Sequence, residues 1–336
     1  MHLRFRHPTD RKPAPVTQPI IAPPPAVIFD VQLTAPNISR WRDGNTGIAG
    51  VTTFHANAAG PHVALLALTH GNEIGGAIVL DRLLRARLRP IRGALTFAFL
   101  NLAAFDRFDP KQPTLSRFVD EDLNRLWDPE LLDSGRVSVE LTRARALRPA
   151  IDTVDVLLDL HSMLWPSDPL MLCGGSANGK ALAAAIGAPG LVVADHGHVA
   201  GRRIIDYSRF TDPSTNAAAN LVEAGQHWMP ETVAMMEASV AGMLNHLHLI
   251  DPDDLPPRPR TPMRFANVTA AVTACTANFA FAHAYRGGDV IARRNTLIAL
   301  DGTSEVRTPY DNCLLVMPSL RPSRGHTAVR LAQFCE

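Results

Sequence analysis

A histidine and a glutamate separated by two residues, His70-Gly71-Asn72-Glu73, follow directly on the apolar run Val63-Ala64-Leu65-Leu66-Ala67-Leu68-Thr69. A neutral imidazole and a carboxylate at this spacing can both reach one ion, and nitrogen and oxygen donors in an open site suit zinc. The run, bounded by Pro61 and by a Gly-Asn turn, reads as a buried strand. Apolar residues at Ile74, Ala77, Ile78, Leu80, Leu83 and Leu84 then describe an amphipathic helix from Glu73 to Arg89. The pair therefore stands at the carboxyl end of a strand, where open α/β sheets collect ligands. This is not the helical two-histidine zinc motif, because Ile74 and Ala77 stand where a second histidine is needed. A third ligand must come from elsewhere. Read without a metal, His70 is a turn residue and Glu73 a carboxylate of the first helical turn.

His161 occupies the same kind of position, at the end of the strand Val154-Asp155-Val156-Leu157-Leu158-Asp159-Leu160. Two histidines and a glutamate from one sheet edge match the two-His, one-carboxylate set of zinc hydrolases, with a position left for water. Asp159 is placed to orient a ligating imidazole; alternatively it partners a backbone amide, and His161 is a hydrogen-bonded core residue. Between the two histidines lies Arg117-Phe118-Val119-Asp120-Glu121-Asp122-Leu123-Asn124-Arg125, a polar segment that reads as a loop over the active edge. Arg117 and Arg125 offer planar forks for carboxylates or a developing oxyanion, or they pair at the surface with Asp120, Glu121 and Asp122. Glu223, in Asn220-Leu221-Val222-Glu223-Ala224-Gly225-Gln226, follows a short apolar run. An unligated glutamate there can take the proton of a metal-activated water, or it is a helix-start carboxylate. His196-Gly197-His198 lacks a nearby carboxylate and reads as a loop rather than a second metal site.

These four motifs in this order resemble the succinylglutamate desuccinylase/aspartoacylase family, a branch of the zinc carboxypeptidase-like hydrolases. The likeness runs from about Asn45 to the C-terminus. It implies one zinc bound by His70, Glu73 and His161, with Glu223 as the general base that later passes its proton to the leaving amine. It implies that Arg117 polarises the scissile carbonyl and that Asn124 and Arg125 grip a substrate carboxylate. The family's further arginine, upstream of the catalytic glutamate, has no clean match; Arg202, Arg203 and Arg209 are the candidates. Its C-terminal tyrosine has none either, since the segment from Ser319 to His326 contains no tyrosine. Both departures point away from acetylaspartate. Met163-Leu164-Trp165, just after His161, suits an apolar acyl or side-chain pocket, or packs under the loop.

The expected architecture is a zinc carboxypeptidase-like α/β fold: a mixed sheet with helices on both faces, plus a small C-terminal all-β domain of barrel-sandwich type. Residues 1–26 form a proline-rich arm, 27–255 the α/β hydrolase domain and 256–336 the β domain. A proline-rich stretch from Pro256 to Arg260 marks the change. Strands are expected at Val63–Thr69, Gly93–Asn101, Val154–Leu160 and Gly190–Ala194, and helices at Arg136–Ile151, Lys180–Ile186 and Pro230–Leu249. With 46% hydrophobic and 19% charged residues the chain is an ordinary globular protein. Its 33 Lys+Arg against 32 Asp+Glu exclude a basic field for nucleic acid or anionic lipid. No apolar run is long enough to span a membrane, no secretory pattern opens the chain, and four cysteines without Cys-x-x-Cys pairing indicate reduced thiols. The expectation is a cytoplasmic zinc amidohydrolase acting on a small N-acyl amino acid or related amide, with a homodimer as the expected assembly. A metallocarboxypeptidase acting on short peptides, or a non-catalytic zinc-containing ligand sensor, are the alternatives.

Overall fold

Short apolar runs bounded by turn residues become strands covered on both faces. In the computed structural model, which describes residues 29–197, 200–255 and 261–335, they are β1 (Val51–His55), β2 (His62–Ala67), β3 (Ala94–Phe99), β4 (Val156–Met163), β5 (Leu170–Leu172), β6 (Leu191–Ala194) and β7 (Ala218–Gln226). The C-terminal strands are β8 (Arg264–Thr273), β9 (Phe279–Phe281), β10 (Val290–Ile291), β11 (Leu297–Asp301), β12 (Ser304–Arg307), β13 (Cys313–Val316) and β14 (Thr327–Phe334). The helices are α1 (Ile74–Arg85), α2 (Leu102–Phe105), α3 (Pro129–Leu132), α4 (Val139–Ile151), α5 (Ala177–Ile186), α6 (Ser208–Thr211) and α7 (Pro230–His246). By contacts the chain divides into Met1–Asp30 and Val31–Glu336, and all these elements belong to the second unit. The expected arm of residues 1–26 and the proline-rich stretch 256–260 lie outside the described residues.

Eleven strands form one mixed sheet in the order β1-β3-β2-β4-β7-β5-β6-β8-β14-β13-β10. Strands β3, β2, β4 and β7 run parallel, so their carboxyl ends share one edge. Side chains alternate across the sheet. Val63, Leu65 and Ala67 of β2 pack with residues of α1, α5 and α7 on one face, while Ala64 and Leu66 pack with Leu141, Ala144 and Leu147 of α4 and with Trp127 on the other. Every residue from Val63 to Leu68 is fully buried, each large one stabilising the fold by roughly 1.5–3 kcal/mol. Strands β9, β11 and β12 make a separate small antiparallel sheet. The other C-terminal strands extend the large sheet, with β8 pairing parallel to β6 and antiparallel to β14.

Helix ends shift from their expected places for local reasons. The first helix stops at Arg85 because Arg87 turns left-handed at φ 58°, a closure more often supplied by glycine. Helix α5 starts at Ala177 rather than Lys180, since the Ser176 hydroxyl accepts from the Gly179 amide at 3.0 Å. No helix among the described residues is long and apolar enough to cross a membrane.

Helix α1 sits close on the sheet through Gly76. A Cβ there would lie 3.0 Å from both the Ala67 and Leu160 Cβ atoms. Gly76→Val is expected to lift the helix off β2, which leads into His70, and β4, which carries His161. The cost, about 1–3 kcal/mol, is measurable as a lower urea midpoint with an unchanged slope.

Candidate functional site

Leu68, at φ 60°, turns the chain sharply at the end of β2 and delivers His70 and Glu73 to the carboxyl edge of the sheet. Strand β4 brings His161 to the same edge, and in its register with β7 His161 lies beside Glu223. His70, Glu73 and His161 are buried, and one donor atom from each lies within 4.8 Å of the others. Glu73 occupies the centre. His70 Nδ1 is 2.7 Å from its Oε1 and His161 Nδ1 is 3.0 Å from its Oε2, while the Ser162 amide donates to Oε2 at 3.0 Å. The two rings meet edge to face with centroids 5.0 Å apart.

The far side of each ring is held by another carboxylate. His70 Nε2 lies 2.8 Å from Asp122 Oδ1 and His161 Nε2 lies 2.7 Å from Asp159 Oδ2; the Thr69 hydroxyl donates to Asp159 in turn. Carboxylates only accept, and both nitrogens of each ring face one; with the outer carboxylates and Arg117 Nη2 (2.9 Å from His70 Nε2) engaging the Nε2 side, both Nδ1 atoms are turned toward Glu73. Lone pairs facing carboxylate oxygens at such distances repel unless a cation lies between them. A proton can serve. Burial opposes a charge on His161, yet Asp159 and Glu73 hold its imidazole well above its ordinary value. Burial likewise opposes ionisation of Glu73, but the two histidines hold its carboxyl well below the usual range. The donor set therefore fits a divalent metal ion, which would replace that proton.

Loop residues close over the cluster. Gly71 is their seat: a Cβ there would overlap the backbone of Ala104 and Phe105 and the Ser116 carbonyl, and its amide donates to the Arg117 carbonyl at 3.0 Å. The Arg117 guanidinium reaches Asp122 Oδ2 at 3.1 Å and Glu73 Oε1 at 3.3 Å. It faces the cluster instead of pairing only at the surface. Asn124 is buried, with its Oδ1 accepting from the Ile204 amide at 2.8 Å. Arg125 donates to the Asn124 carbonyl at 2.7 Å and lies 3.9 Å from Asp122.

What fixes this loop is a residue the motifs do not mark. Glu140, fully buried in the first turn of α4, accepts from three consecutive loop amides, Val119 (2.6 Å), Asp120 (3.0 Å) and Glu121 (3.2 Å). The Asn101 side-chain amide adds a fourth bond at 3.0 Å.

His70, Glu73, Arg117 and Glu223 line one cavity of about 370 Å³. Glu223 projects from strand β7, not from a helix start, and its Oε2 is buried without a hydrogen-bond partner. Burial pushes its carboxyl up to about 8. Beside it His227, also unmarked by any motif, lies 2.7 Å from the Ser162 hydroxyl; burial pushes its imidazole down to about 4 and keeps it neutral. Asn124 and Arg125 stand behind Arg117 and are not among the residues that line this cavity, and none of the three candidate arginines borders it either. Arg203 is buried between Asp206 (2.6 Å) and Asp195 (3.2 Å), Arg209 pairs with Asp155 at 3.1 Å, and Arg202 pairs with Asp128 at 2.9 Å. His196 and Gly197 border a different cavity, and His198 lies outside the described residues.

The profile of the succinylglutamate desuccinylase/aspartoacylase catalytic domain matches residues 59–250, more than half of the chain. The chain belongs to this family. A curated relative, a probable aspartoacylase of Parasynechococcus marenigrum (strain WH8102), is 39% identical over 100 residues, which is 28% of this chain and 31% of that protein. The chain thus spans under a third of the length of that relative. Among solved structures, a succinylglutamate desuccinylase from Vibrio parahaemolyticus superposes with a TM-score of 0.64 at 16% identity, over 86% of this chain and 87% of that one. The family's succinylglutamate desuccinylase/aspartoacylase from Rhodobacter sphaeroides gives 0.62 at 18%, over 85% and 89%. The product-bound ectoine utilization protein EutE (DoeB) from Ruegeria pomeroyi gives 0.60 at 17%, over 84% and 87%. These three likenesses establish the fold. The convergence of the chain's His-Glu-His set makes a group that could hold a metal ion.

Within this desuccinylase/aspartoacylase framework Glu140 is open to a direct test. In Glu140→Gln the amide hydrogens would oppose the loop N–H groups, at a cost of about 2 kcal/mol. Amides 119–121 should lose protection in hydrogen exchange while amides of β2 and β4 keep theirs. Undiminished protection at 119–121 would show that the carboxylate does not hold the loop.

Proposed function

We propose that this chain is a zinc-dependent amidohydrolase that cleaves the amide bond of a small N-acyl amino acid. The observation that carries this reading is the orientation of the two buried imidazoles. Both present Nδ1 to Glu73 while Asp122 and Asp159 hold their Nε2 atoms, the arrangement expected of metal ligands. His70, Glu73 and His161 would hold the zinc, which when bound polarises a carbonyl and lowers the pKa of water to about 7.

The remaining work falls to the chain's own side chains. Glu223, its Oε2 unpartnered, accepts a proton from the attacking water and returns it to the amide nitrogen as the C–N bond breaks. The products are a carboxylate and a free amine. Arg117 donates to the carbonyl oxygen as it gains negative charge, worth about 3 kcal/mol per such donor. Its contacts with Asp122 and Glu73 keep the guanidinium aimed at the cluster. Asn124 and Arg125 take the carboxylate of the amino-acid half; the Asn124 oxygen is occupied by Ile204, so its amide nitrogen is the group offered.

Metal analysis should find one zinc per chain, with His161→Ala lowering affinity at least about a hundredfold. Glu223→Gln should keep the zinc and lose turnover by roughly 10²–10⁴ in an amine-release assay; wild-type-like hydrolysis by that variant would sink the general-base role. The sign of the pH dependence follows from the same carboxyl. Glu223 works only when ionised, so kcat/KM should fall as pH drops. The metal's charge should bring the midpoint below the value of about 8 that burial, partly offset by the neighbouring cations, sets.

A further inference from the structure

The wall of the cavity beyond the metal cluster is built from Met163, Leu164, Trp165 and Pro166, which follow His161 out of β4, and from Met317 and Pro318 at the end of β13. Met317 is held at φ 49°, a conformation that methionine adopts at a cost and that concentrates at binding sites. The polar groups on this wall are uncharged or lie at its rim. His227 is buried and neutral, Ser319 is a hydroxyl, and His326 is exposed. Among the described residues no lysine lines the cavity, and Arg117, the one arginine among them that does, is already turned to Glu73 and Asp122.

The loop cations and the apolar wall reach the cavity from different elements. Arg117 is seated at Gly71, on the β2 side, while Arg125, farther along the loop, packs against Gly201. Residues 163–167 leave β4 alongside β7, where the His227 amide donates to the Met163 carbonyl at 2.7 Å. They run to the C-terminal strands, where Ser167 bridges Gly287. An N-acyl amino acid always carries a carboxylate on its amine half. The arginine side takes that half, which leaves the acyl half against the apolar wall. A carboxylate on the acyl group would be desolvated there with no cation among the residues of the wall to meet it; Arg330 of β14, which Glu223 feels electrostatically, does not line the cavity and is paired with Asp195 at 3.0 Å.

We propose that the acyl group this enzyme removes is apolar and uncharged, an aliphatic or aromatic acyl rather than a dicarboxylic one. The assignment rests on the reading of the chain as an N-acyl amino acid hydrolase. Each added methylene buried on the wall should improve kcat/KM until the cavity is filled.

The test uses the full, zinc-loaded chain and matched N-hexanoyl and N-succinyl derivatives of a panel of amino acids, assayed for amine release at pH 8. Hexanoyl substrates should exceed their succinyl partners at least tenfold in kcat/KM, and Leu164→Lys should shift that ratio toward succinyl. Succinyl substrates cleaved as well as hexanoyl ones, or a ratio unmoved by Leu164→Lys, overturns the proposal. Calorimetry on the zinc-loaded Glu223→Gln protein separates the pocket from the chemistry. Hexanoate should bind at least tenfold more tightly than succinate, with a negative heat-capacity change; equal or tighter succinate binding overturns the proposal. Hexanoate binding as expected, with neither substrate family hydrolysed, would keep the apolar pocket and refute the hydrolase reading instead.

Discussion

A carboxylate buried between two imidazoles is tolerable only if positive charge is supplied to it, and Glu73 is such a carboxylate. Its two oxygens are divided between His70 and His161, with a backbone amide on one of them. Asp122 and Asp159, on the outer edges of the rings, deepen the local negative potential. Much of the surrounding architecture answers this demand. Strands β2, β4 and β7 end at one edge so that donors distant in the chain can meet there, and Arg117 is drawn in from the loop. Glu223 stands adjacent in the sheet, but it is not paired with either histidine, and that separation leaves it available to handle protons.

The loop carrying Arg117 and Asp122 belongs to no regular element of its own beyond one short turn, yet it touches the cluster directly, with Asp122 2.8 Å from His70 and Arg117 3.3 Å from Glu73. Two opposed features index it. From below, Gly71 permits a backbone approach that any side chain would block. From the α4 side, the Glu140 carboxylate gathers three successive amides, in the manner of an anion bound in a backbone concavity. The helix that supplies Glu140 is also the principal cover for one face of the sheet. Core packing and loop geometry are therefore coupled through one side chain.

The sheet was legible because strands buried on both faces cannot hide: Val63–Thr69 and Val154–Leu160 admit few polar residues. The His-Glu-His cluster was legible because its members sit at the ends of those runs, where a polar residue has little packing reason to be. Glu140 was not, since its partners are backbone amides and carry no residue code. The roles of Asp122 and His227 depend on which side chains face them across the fold. Arg203 looked available in sequence, but burial between Asp195 and Asp206 commits it to structure. Nor does composition reveal that β8 continues the sheet, because strand pairing over such sequence separations leaves no local trace.

That pairing has a consequence for how the protein can be cut or recombined. Strand β8 saturates the outer edge of β6 with main-chain hydrogen bonds, and the segment after β13 closes one side of the cavity that Glu73 and Glu223 line. A fragment ending before β8 would carry a bare, apolar strand margin prone to intermolecular association, together with a breached pocket. Exchanging the C-terminal strands with those of a relative would likewise replace Met317 and Pro318, and with them part of the cavity wall. In this fold the tail both seals a sheet margin and shapes a pocket.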